Sequence, residues 1–205
     1  MIDLYTASTG NGRRATVALE ECGLAYKVHK LDLAKGDGKK PEYLKINPAG
    51  AIPAIVDPDG PGGKPVTLAQ SGAIVLYAAE KSGKLIPKDP AKRALAYQWF
   101  MQATTDVAPT SSSIFYVSSH VPVKDAGNTA YFEQRLLTQL GVVDKQLEGQ
   151  DYIAGECSIA DIALYPVVAA RKALIDAAPG LANVKAWAAR MAARPAVAKA
   201  FANNG

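Results

Sequence analysis

The loop at residues 10–15 carries the first residues whose types and spacing could do chemistry. It reads GNGRRA, follows the apolar run MIDLY and precedes TVALEECG, so it lies where a strand ends and a helix begins. The pattern G-x-G-x-x-A, with Asp32 about 20 residues further on, is typical of a loop that wraps the pyrophosphate of a dinucleotide. This motif alone predicts a dehydrogenase.

The cysteines and histidines indicate neither a metal site nor a protein nucleophile. Two of each occur, in no spacing that binds a metal or forms Cys-x-x-Cys. Cys22 precedes a helix-ending Gly23, and Cys157 precedes Ser158, which has the spacing of a capping box with Asp161. We assign both cysteines to packing and the capping box to folding.

The elements that must position these residues change character near residue 90. Before that point, β-rich runs alternate with helical patterns; after it, apolar residues repeat only at helical spacing. The two prolines of PKDP, at 87–90, mark a linker. The sequence therefore predicts an α/β domain over 1–86 and an all-helical domain over 91–205.

This division counts against a dinucleotide site. A doubly wound domain needs about six parallel strands, whereas the β-rich runs stop near residue 68. The last two runs are joined by a Gly- and Pro-rich turn and predict a hairpin, which gives the order βαβ, a loop, then ββα. Such a four-stranded sheet lacks the second mononucleotide half.

Two further positions could hold a ligand. Pro53 enters a β-run, where it either simply begins the strand or leaves the backbone of Ile52 free to pair with something else. Ser71 is placed to cap a helix beginning near Gly72, and that helix N-terminus could bind a carboxylate. The two functional interpretations support each other.

Taken together, these motifs resemble a cytosolic glutathione transferase over nearly the whole chain. MIDLYTASTGNG, INPAGAIPAIVD, QSGAI and YIAGECSIADIALYP carry the resemblance, and the opening is most similar to the bacterial Nu class, which is associated with glutathione-dependent disulfide-bond reduction. The resemblance implies a thioredoxin-like N-terminal domain, an all-α C-terminal domain and a homodimer.

The resemblance also implies a catalytic pair, Thr9 and Asn11, beside the glutathione sulfur at the start of the first helix. A thiol with a pKa of about 8.5 is only slightly ionised at pH 7, and lowering it by two units takes roughly 2.7 kcal/mol. Hydrogen bonds to a charged group contribute ~1.5–3 kcal/mol, and a helix N-terminus adds up to ~2. One hydroxyl, one amide and the helix dipole are sufficient without a general base.

The other glutathione contacts are carried over by the same resemblance. The backbone of Ile52, before a cis Pro53, would pair with the central residue of the tripeptide. Gln70 and Ser71 would hold the γ-glutamyl carboxylate, and Arg135 corresponds to an arginine that reaches a glutathione site.

The loop after the second strand departs from the class pattern. Gly38 stands where the class usually has glutamine, and Lys39 and Lys40 follow it. We expect Lys39 to hold the glycyl carboxylate in place of the missing amide; the alternative is a solvated basic loop.

The second substrate is poorly specified by the sequence. Phe115 and Tyr116 could line a cleft for an electrophile or could be core residues. Disulfide reduction with two glutathiones is the first choice; conjugation or thiolytic ether cleavage of aromatic electrophiles, and non-catalytic glutathione binding, remain alternatives. All the reactions begin with the same thiolate.

Composition limits the partners and the compartment. The 205 residues are 49% hydrophobic and 20% charged, with a net charge of +4 that is shared evenly between residues 1–90 and 91–205. This distribution predicts no nucleic-acid partner, and it mildly favours small anionic ligands. No run suits a membrane span or a secretory leader, so we expect a cytoplasmic protein.

Overall fold

The computed structural model describes residues 1–203. The chain divides into two compact units. The first contains residues 1–86 and the C-terminal stretch from Ala193; the second runs from Pro87 to Ala192. Among the described residues, no helix is both long and apolar enough to span a lipid bilayer.

The first unit is built on a four-stranded sheet. Its strands are β1 (Ile2–Thr6), β2 (Tyr26–Lys30), β3 (Ala54–Asp57) and β4 (Val66–Ala69), and its helices are α1 (Gly10–Cys22), α2 (Pro41–Leu44), α3 (Ser71–Ser82) and α10 (Pro195–Asn203). Alternate residues of β1 are buried, as expected for a strand with one face on a core. Helix α1 ends at Gly23, whose φ of 71° suits glycine.

The sheet has mixed topology in the order β2-β1-β3-β4. Strand β1 runs parallel to β2, with Leu4 opposite Val28, and antiparallel to β3, with Leu4 opposite Ile55. Strands β3 and β4 form the expected hairpin. The order βαβ followed by ββα is therefore confirmed, and a doubly wound sheet is excluded for the described residues.

Asp32 lies in the loop after β2 and stabilises that loop locally. Its Oδ1 accepts hydrogen bonds from the backbone N–H groups of Ala34 and Lys35, at 3.1 and 3.2 Å. The Lys35 ammonium lies 3.3 Å from Oδ2. The carboxylate therefore organises a turn, which accounts for the acid that completed the dinucleotide pattern.

The second unit is helical, as predicted. Its helices are α4 (Pro90–Met101), α5 (Ala108–Ser119), α6 (Ala126–Gln146), α7 (Ile159–Ala170), α8 (Lys172–Ala177) and α9 (Ala182–Ala192), with a π-helical segment, Gln102–Val107, between α4 and α5. Helix α7 is almost entirely buried. It packs against α4 and α9 and forms the centre of this unit.

The predicted capping box at the start of α7 is present and belongs to a larger buried network. Asp161 accepts hydrogen bonds from the Ser158 backbone N–H at 2.9 Å, the Ile153 N–H at 3.1 Å and the Trp187 indole N–H at 2.8 Å. Burial raises the pKa of this carboxyl. One aspartate thus joins α7, the preceding loop and α9.

The C-terminal helix α10 packs on α1 within the first unit. Arg194 forms a bidentate pair with Glu21 at 2.6 and 2.7 Å, and Lys199 lies 2.9 Å from Glu20. Nothing in the local pattern of the last residues predicts this contact, because the partners are more than 170 positions apart.

Candidate functional site

The N-terminus of α1 is capped by Thr9. This residue has extended backbone angles, φ −119° and ψ 164°, and its hydroxyl oxygen accepts a hydrogen bond from the Gly12 N–H at 3.1 Å. The hydroxyl oxygen accepts in this contact, so its own hydrogen can be donated elsewhere. Thr9 is exposed, which places that donor in solvent at the positive end of a helix.

Gly12, the second glycine of the loop motif, serves packing within the chain. A Cβ at this position would lie 2.1 Å from the Ala7 carbonyl oxygen and 2.5 Å from the Thr6 hydroxyl. The residue is buried. Gly12 therefore lets α1 approach the preceding loop closely, which is a packing role within the chain.

Asn11 and Ser71 are brought together by a residue that the sequence analysis missed, Arg14. Its Nη1 donates to Asn11 Oδ1 at 2.7 Å and to Ser71 Oγ at 2.8 Å. Ser71 Oγ also lies 3.5 Å from Asn11 Oδ1. The first turns of α1 and α3 therefore meet in one polar cluster of Asn11, Arg14 and Ser71, although Asn11 and Ser71 are 60 residues apart in sequence.

Arg14 is only 2% exposed. Burial lowers the pKa of its guanidinium to about 10, so the group remains charged at neutral pH. A pattern in the sequence could have located it, because Arg14, Ala18 and Cys22 repeat every four residues on one buried face of α1. An arginine on that face must find polar partners inside the fold.

Ser71 does not cap α3 as expected. The helix begins at Ser71 itself, and Gln70 occupies the cap position without a side-chain hydrogen bond to the helix. The serine hydroxyl instead accepts the hydrogen bond from Arg14. Gln70 is exposed and has φ 72° and ψ 115°, a region that non-glycine residues avoid.

The loop before β3 is shaped by its polar contacts. The Ile52–Pro53 peptide bond is cis. The carbonyl oxygen of Ala51 accepts hydrogen bonds from the Tyr43 hydroxyl and the Asn47 amide, both at 2.6 Å. Within residues 1–203, no hydrogen bond involves the backbone of Ile52. This backbone can therefore pair with an extended ligand.

Gly38 lies against this loop, and its close contact leaves no room for a side chain. A Cβ on Gly38 would meet the Gly50 carbonyl oxygen at 2.2 Å, so no side chain fits there. Lys40 is 2.7 Å from Asp37, whereas Lys39 is exposed beside the Gly38–Gly50 contact. Of the two lysines, Lys39 is the better placed to meet a ligand at the Ile52 loop.

The remaining candidates lie in the second compact unit. Arg135 is exposed on α6. Phe115 and Tyr116 are 49% and 57% exposed on α5, and both rings contact His120. They form an exposed aromatic cluster and are not core residues.

Neither cysteine contributes a nucleophile to the polar cluster at α1. Cys22 is buried, at 4% exposure, and burial raises the pKa of its thiol. Cys157 is half-buried beside the start of α7. Neither forms a disulfide bond. In residues 1–203, no three His, Cys, Asp or Glu side chains are grouped as metal ligands would be.

Comparison with known proteins identifies relatives over both compact units. The family model "Glutathione S-transferase, N-terminal domain" matches residues 11–81, and "Glutathione S-transferase, C-terminal domain" matches residues 107–195. The disulfide-bond oxidoreductase YfcG of Escherichia coli K12 is 38% identical over 204 residues, which is 98% of this chain and 94% of the relative.

Two solved structures share the fold. A glutathione transferase family member from Pseudomonas fluorescens, with two glutathione bound, has a TM-score of 0.89 at 35% identity and covers 98% of this chain and 92% of its own. A glutathione transferase from Pseudomonas putida, with one glutathione disulfide bound per subunit, has a TM-score of 0.90 at 35% identity and covers 100% and 92%.

Proposed function

This chain belongs to the glutathione S-transferase family, and from that premise we propose that it is a glutathione-dependent disulfide reductase of the Nu class. It binds glutathione, holds its sulfur as a thiolate and uses two glutathiones to reduce one disulfide. The activity named for the E. coli relative and the ligands of the two Pseudomonas structures support this assignment.

The observation that carries the proposal is the connection between two helix N-termini. Thr9 and Asn11 present a hydroxyl and an amide at the start of α1, and Arg14 joins Asn11 to Ser71 at the start of α3. Glutathione carries a thiol and a γ-glutamyl carboxylate, and helix N-termini favour negative charge. The site therefore offers donors for both negatively charged groups.

In the proposed site, each residue binds a different part of glutathione. Thr9 and Asn11 stabilise the thiolate, the backbone of Ile52 beside Pro53 pairs with the central residue, and Gln70 with Ser71 holds the γ-glutamyl carboxylate. Lys39 holds the glycyl carboxylate as a charge partner, because Gly38 leaves no side chain to bind it.

The reaction is two successive thiol–disulfide exchanges. The first glutathione thiolate attacks one sulfur of the substrate disulfide and releases the other as a thiolate, which takes up a proton. The second glutathione attacks the glutathione sulfur of the mixed disulfide. Two substrate thiols and one glutathione disulfide result, and the two glutathiones supply both electrons. Arg135 binds the second glutathione.

A second candidate reaction is conjugation of glutathione to an aromatic electrophile, the detoxification chemistry of such enzymes. The exposed cluster of Phe115, Tyr116 and His120 favours it, since exposed aromatic rings can stack on an aromatic substrate. The same thiolate would attack carbon instead of sulfur.

A direct assay tests the proposal. Wild-type protein is supplied with glutathione and 2-hydroxyethyl disulfide, or with chloronitrobenzene, beside the variant Thr9→Ala, Asn11→Ala. We expect faster turnover of the disulfide, and loss of both activities in the double variant. Glutathione binding without turnover would make the chain a binding protein, and activity in the double variant would refute the two catalytic assignments.

The compartment and the assembly state complete the proposal. Neither Cys22 nor Cys157 forms a disulfide, which fits the reducing cytoplasm.

Tyr97 and Met101, one turn apart on α4, are 39% and 52% exposed and fit a homodimer interface. Sedimentation of the purified protein should give a dimer mass, and Met101→Lys should shift it toward the monomer; a monomeric wild type would contradict the dimer.

A further inference from the structure

In the polar cluster of Asn11, Arg14 and Ser71, Arg14 determines which groups donate hydrogen bonds and which accept them. Arginine carries donors only, whereas an asparagine amide and a serine hydroxyl can each donate or accept. Asn11 and Ser71 must therefore each present an oxygen lone pair to Arg14. The two contacts, 2.7 Å to Asn11 Oδ1 and 2.8 Å to Ser71 Oγ, come from the same nitrogen, Nη1, whose two hydrogens serve one acceptor each.

We propose that Arg14 is a positioning residue for glutathione: its guanidinium holds the oxygens of Asn11 and Ser71 and thereby turns the Asn11 amide hydrogens and the Ser71 hydroxyl hydrogen toward the ligand. This inference rests on the proposed function and deepens it. Arg14 is buried and does not itself touch the substrate, so it acts through the two residues that do.

The amide of Asn11 shows why the constraint matters at the sulfur. A thiolate accepts hydrogen bonds, so an asparagine that presented its carbonyl oxygen would repel it. With Oδ1 held by Arg14, rotation of the amide would break a charge-assisted, partly buried hydrogen bond. Arg14 therefore keeps the Nδ2 hydrogens available to the sulfur.

The hydroxyl of Ser71 shows the same effect at the carboxylate. Its oxygen accepts from Nη1, so its hydrogen must point to another acceptor. The nearby Asn11 Oδ1, at 3.5 Å, is at the limit of a hydrogen bond. A γ-glutamyl carboxylate is a stronger acceptor, and it also brings a negative charge close to the buried guanidinium, which offsets part of the cost of burying that charge.

Two readouts separate the effects at the sulfur and at the carboxylate. The first is the pKa of the bound glutathione thiol, followed by ultraviolet absorbance of the thiolate. The second is the dissociation constant of S-methylglutathione, which keeps the γ-glutamyl carboxylate and has no ionisable thiol. Each is measured for the wild type, Arg14→Met, Asn11→Ala and the double variant.

We expect Arg14→Met and Asn11→Ala each to raise the pKa of the bound thiol, and the double variant to raise it no further than Asn11→Ala. On S-methylglutathione, Arg14→Met should weaken binding by about tenfold or more, with or without Asn11→Ala, because this effect passes through Ser71. If Arg14 had only a structural role, its effect on the thiol pKa would not depend on Asn11 while its effect on S-methylglutathione binding was independent of Asn11.

The neighbouring Arg13 supplies the matched control. It lies on the same helix, and its guanidinium stacks over the ring of Phe201 at 4.7 Å. Arg13→Met should leave both readouts at wild-type values. A comparable rise in the thiol pKa and a comparable weakening of S-methylglutathione binding in Arg13→Met would show that the changes follow from general damage to α1. That result would overturn the assignment.

If Arg14→Met does not fold, Arg14→Lys replaces it. The lysine keeps the charge but has a shorter side chain, which can still reach Asn11 one turn away and falls short of Ser71 on α3. We expect a thiol pKa close to that of the wild type and weaker binding of S-methylglutathione; wild-type binding would overturn the inference.

Failure of this inference can be told from failure of the proposed function. If the wild type binds neither glutathione nor S-methylglutathione, the proposed function is wrong and the inference with it. If the wild type binds both, but Arg14→Met changes neither readout or adds its effect on the thiol pKa to that of Asn11→Ala, only the positioning role is wrong.

Discussion

The hydroxyl of Thr9 caps α1, and we propose that it also serves the glutathione sulfur. Its oxygen accepts from the Gly12 N–H and caps α1, and in the proposed site its hydrogen is donated to the glutathione sulfur. Thr9→Val keeps the shape and removes both contacts. We expect a loss of about 1 kcal/mol in the free energy of unfolding from the cap, and a fall in kcat/KM of roughly 10- to 100-fold from the hydrogen bond to the thiolate.

Two further variants control for this result. Thr9→Ser keeps the hydroxyl and should retain both activity and stability. Asp125→Ala removes the cap of α6, where Asp125 accepts from the Asn128 N–H at 2.8 Å, and should lower stability without lowering kcat/KM. If Thr9→Val keeps full activity, the hydroxyl does not serve the sulfur.

Gln70 combines a strained backbone with the proposed role of holding the γ-glutamyl carboxylate. A φ of 72° costs a residue with a Cβ roughly 1–2 kcal/mol in the folded state, and glycine avoids this cost. Part of the gain is offset because glycine has more conformational freedom in the unfolded chain. Gln70→Gly should therefore raise the free energy of unfolding by up to about 1 kcal/mol, while the affinity for glutathione falls by about tenfold.

The comparison for this prediction is Gln70→Ala, which removes the same side chain and keeps the strain. It should lose the same affinity without gaining stability, as measured by urea unfolding and titration calorimetry. A Gln70→Gly protein that is less stable than Gln70→Ala would show that the positive φ carries no strain.

At the scale of elements, the start of α7 is held by groups that have no part in the chemistry. Ser158→Ala removes the cap and should lower the free energy of unfolding by ~1–2 kcal/mol. Asp161→Asn should cost more, because one of several donors would then face an amide N–H instead of an oxygen. Turnover per folded molecule should not change, and a lower value would give α7 a catalytic role.

The junction of β3 and α3 makes stability depend on pH. Asp57 is buried and accepts from the Tyr77 hydroxyl at 2.5 Å and the Lys81 ammonium at 2.8 Å. Burial opposes ionisation of Asp57, but the hydrogen bonds from Lys81 and Tyr77 outweigh it and hold the pKa of the carboxyl below its ordinary value. The folded state thus binds this proton less tightly than the unfolded chain does.

The stability that Asp57 contributes is present above the unfolded pKa and is lost as the pH falls through the lowered folded value. Below about pH 4, the free energy of unfolding of the wild type should therefore fall more steeply than that of Asp57→Asn. Asp59→Asn, at a neighbouring side chain that is 84% exposed, should keep the wild-type slope. Equal slopes in the wild type and Asp57→Asn would contradict the assignment.

At the scale of the whole molecule, local patterns predicted the elements, and long-range contacts were not predictable. The strand order and the helical second half follow from periodicities within each segment. Arg14 was missed because its role depends on Ser71, 57 positions away. Ser71 was wrongly assigned as a cap because the pattern of a helix start does not show that a buried arginine takes its hydroxyl.

The motif of the opening loop shows why spacing alone does not identify a function. Gly12 and Asp32 fit a dinucleotide site by position, yet one packs against Ala7 and the other closes a turn with Ala34 and Lys35. Close packing of a glycine and closure of a turn by an aspartate are structural roles that occur in many strand–loop–helix units. The four strands and their mixed directions are what distinguish this sheet from the doubly wound parallel sheet of a dinucleotide-binding domain.

The acidity of bound glutathione tests the account most directly. Titration of thiolate absorbance against pH should give a thiol pKa well below about 8.5 in the wild-type complex, and a value close to that of free glutathione in Thr9→Ala, Asn11→Ala. An unchanged thiol pKa in the wild-type complex, or an equally low one in the double variant, would contradict the claim that donors at the start of α1 hold the sulfur as a thiolate.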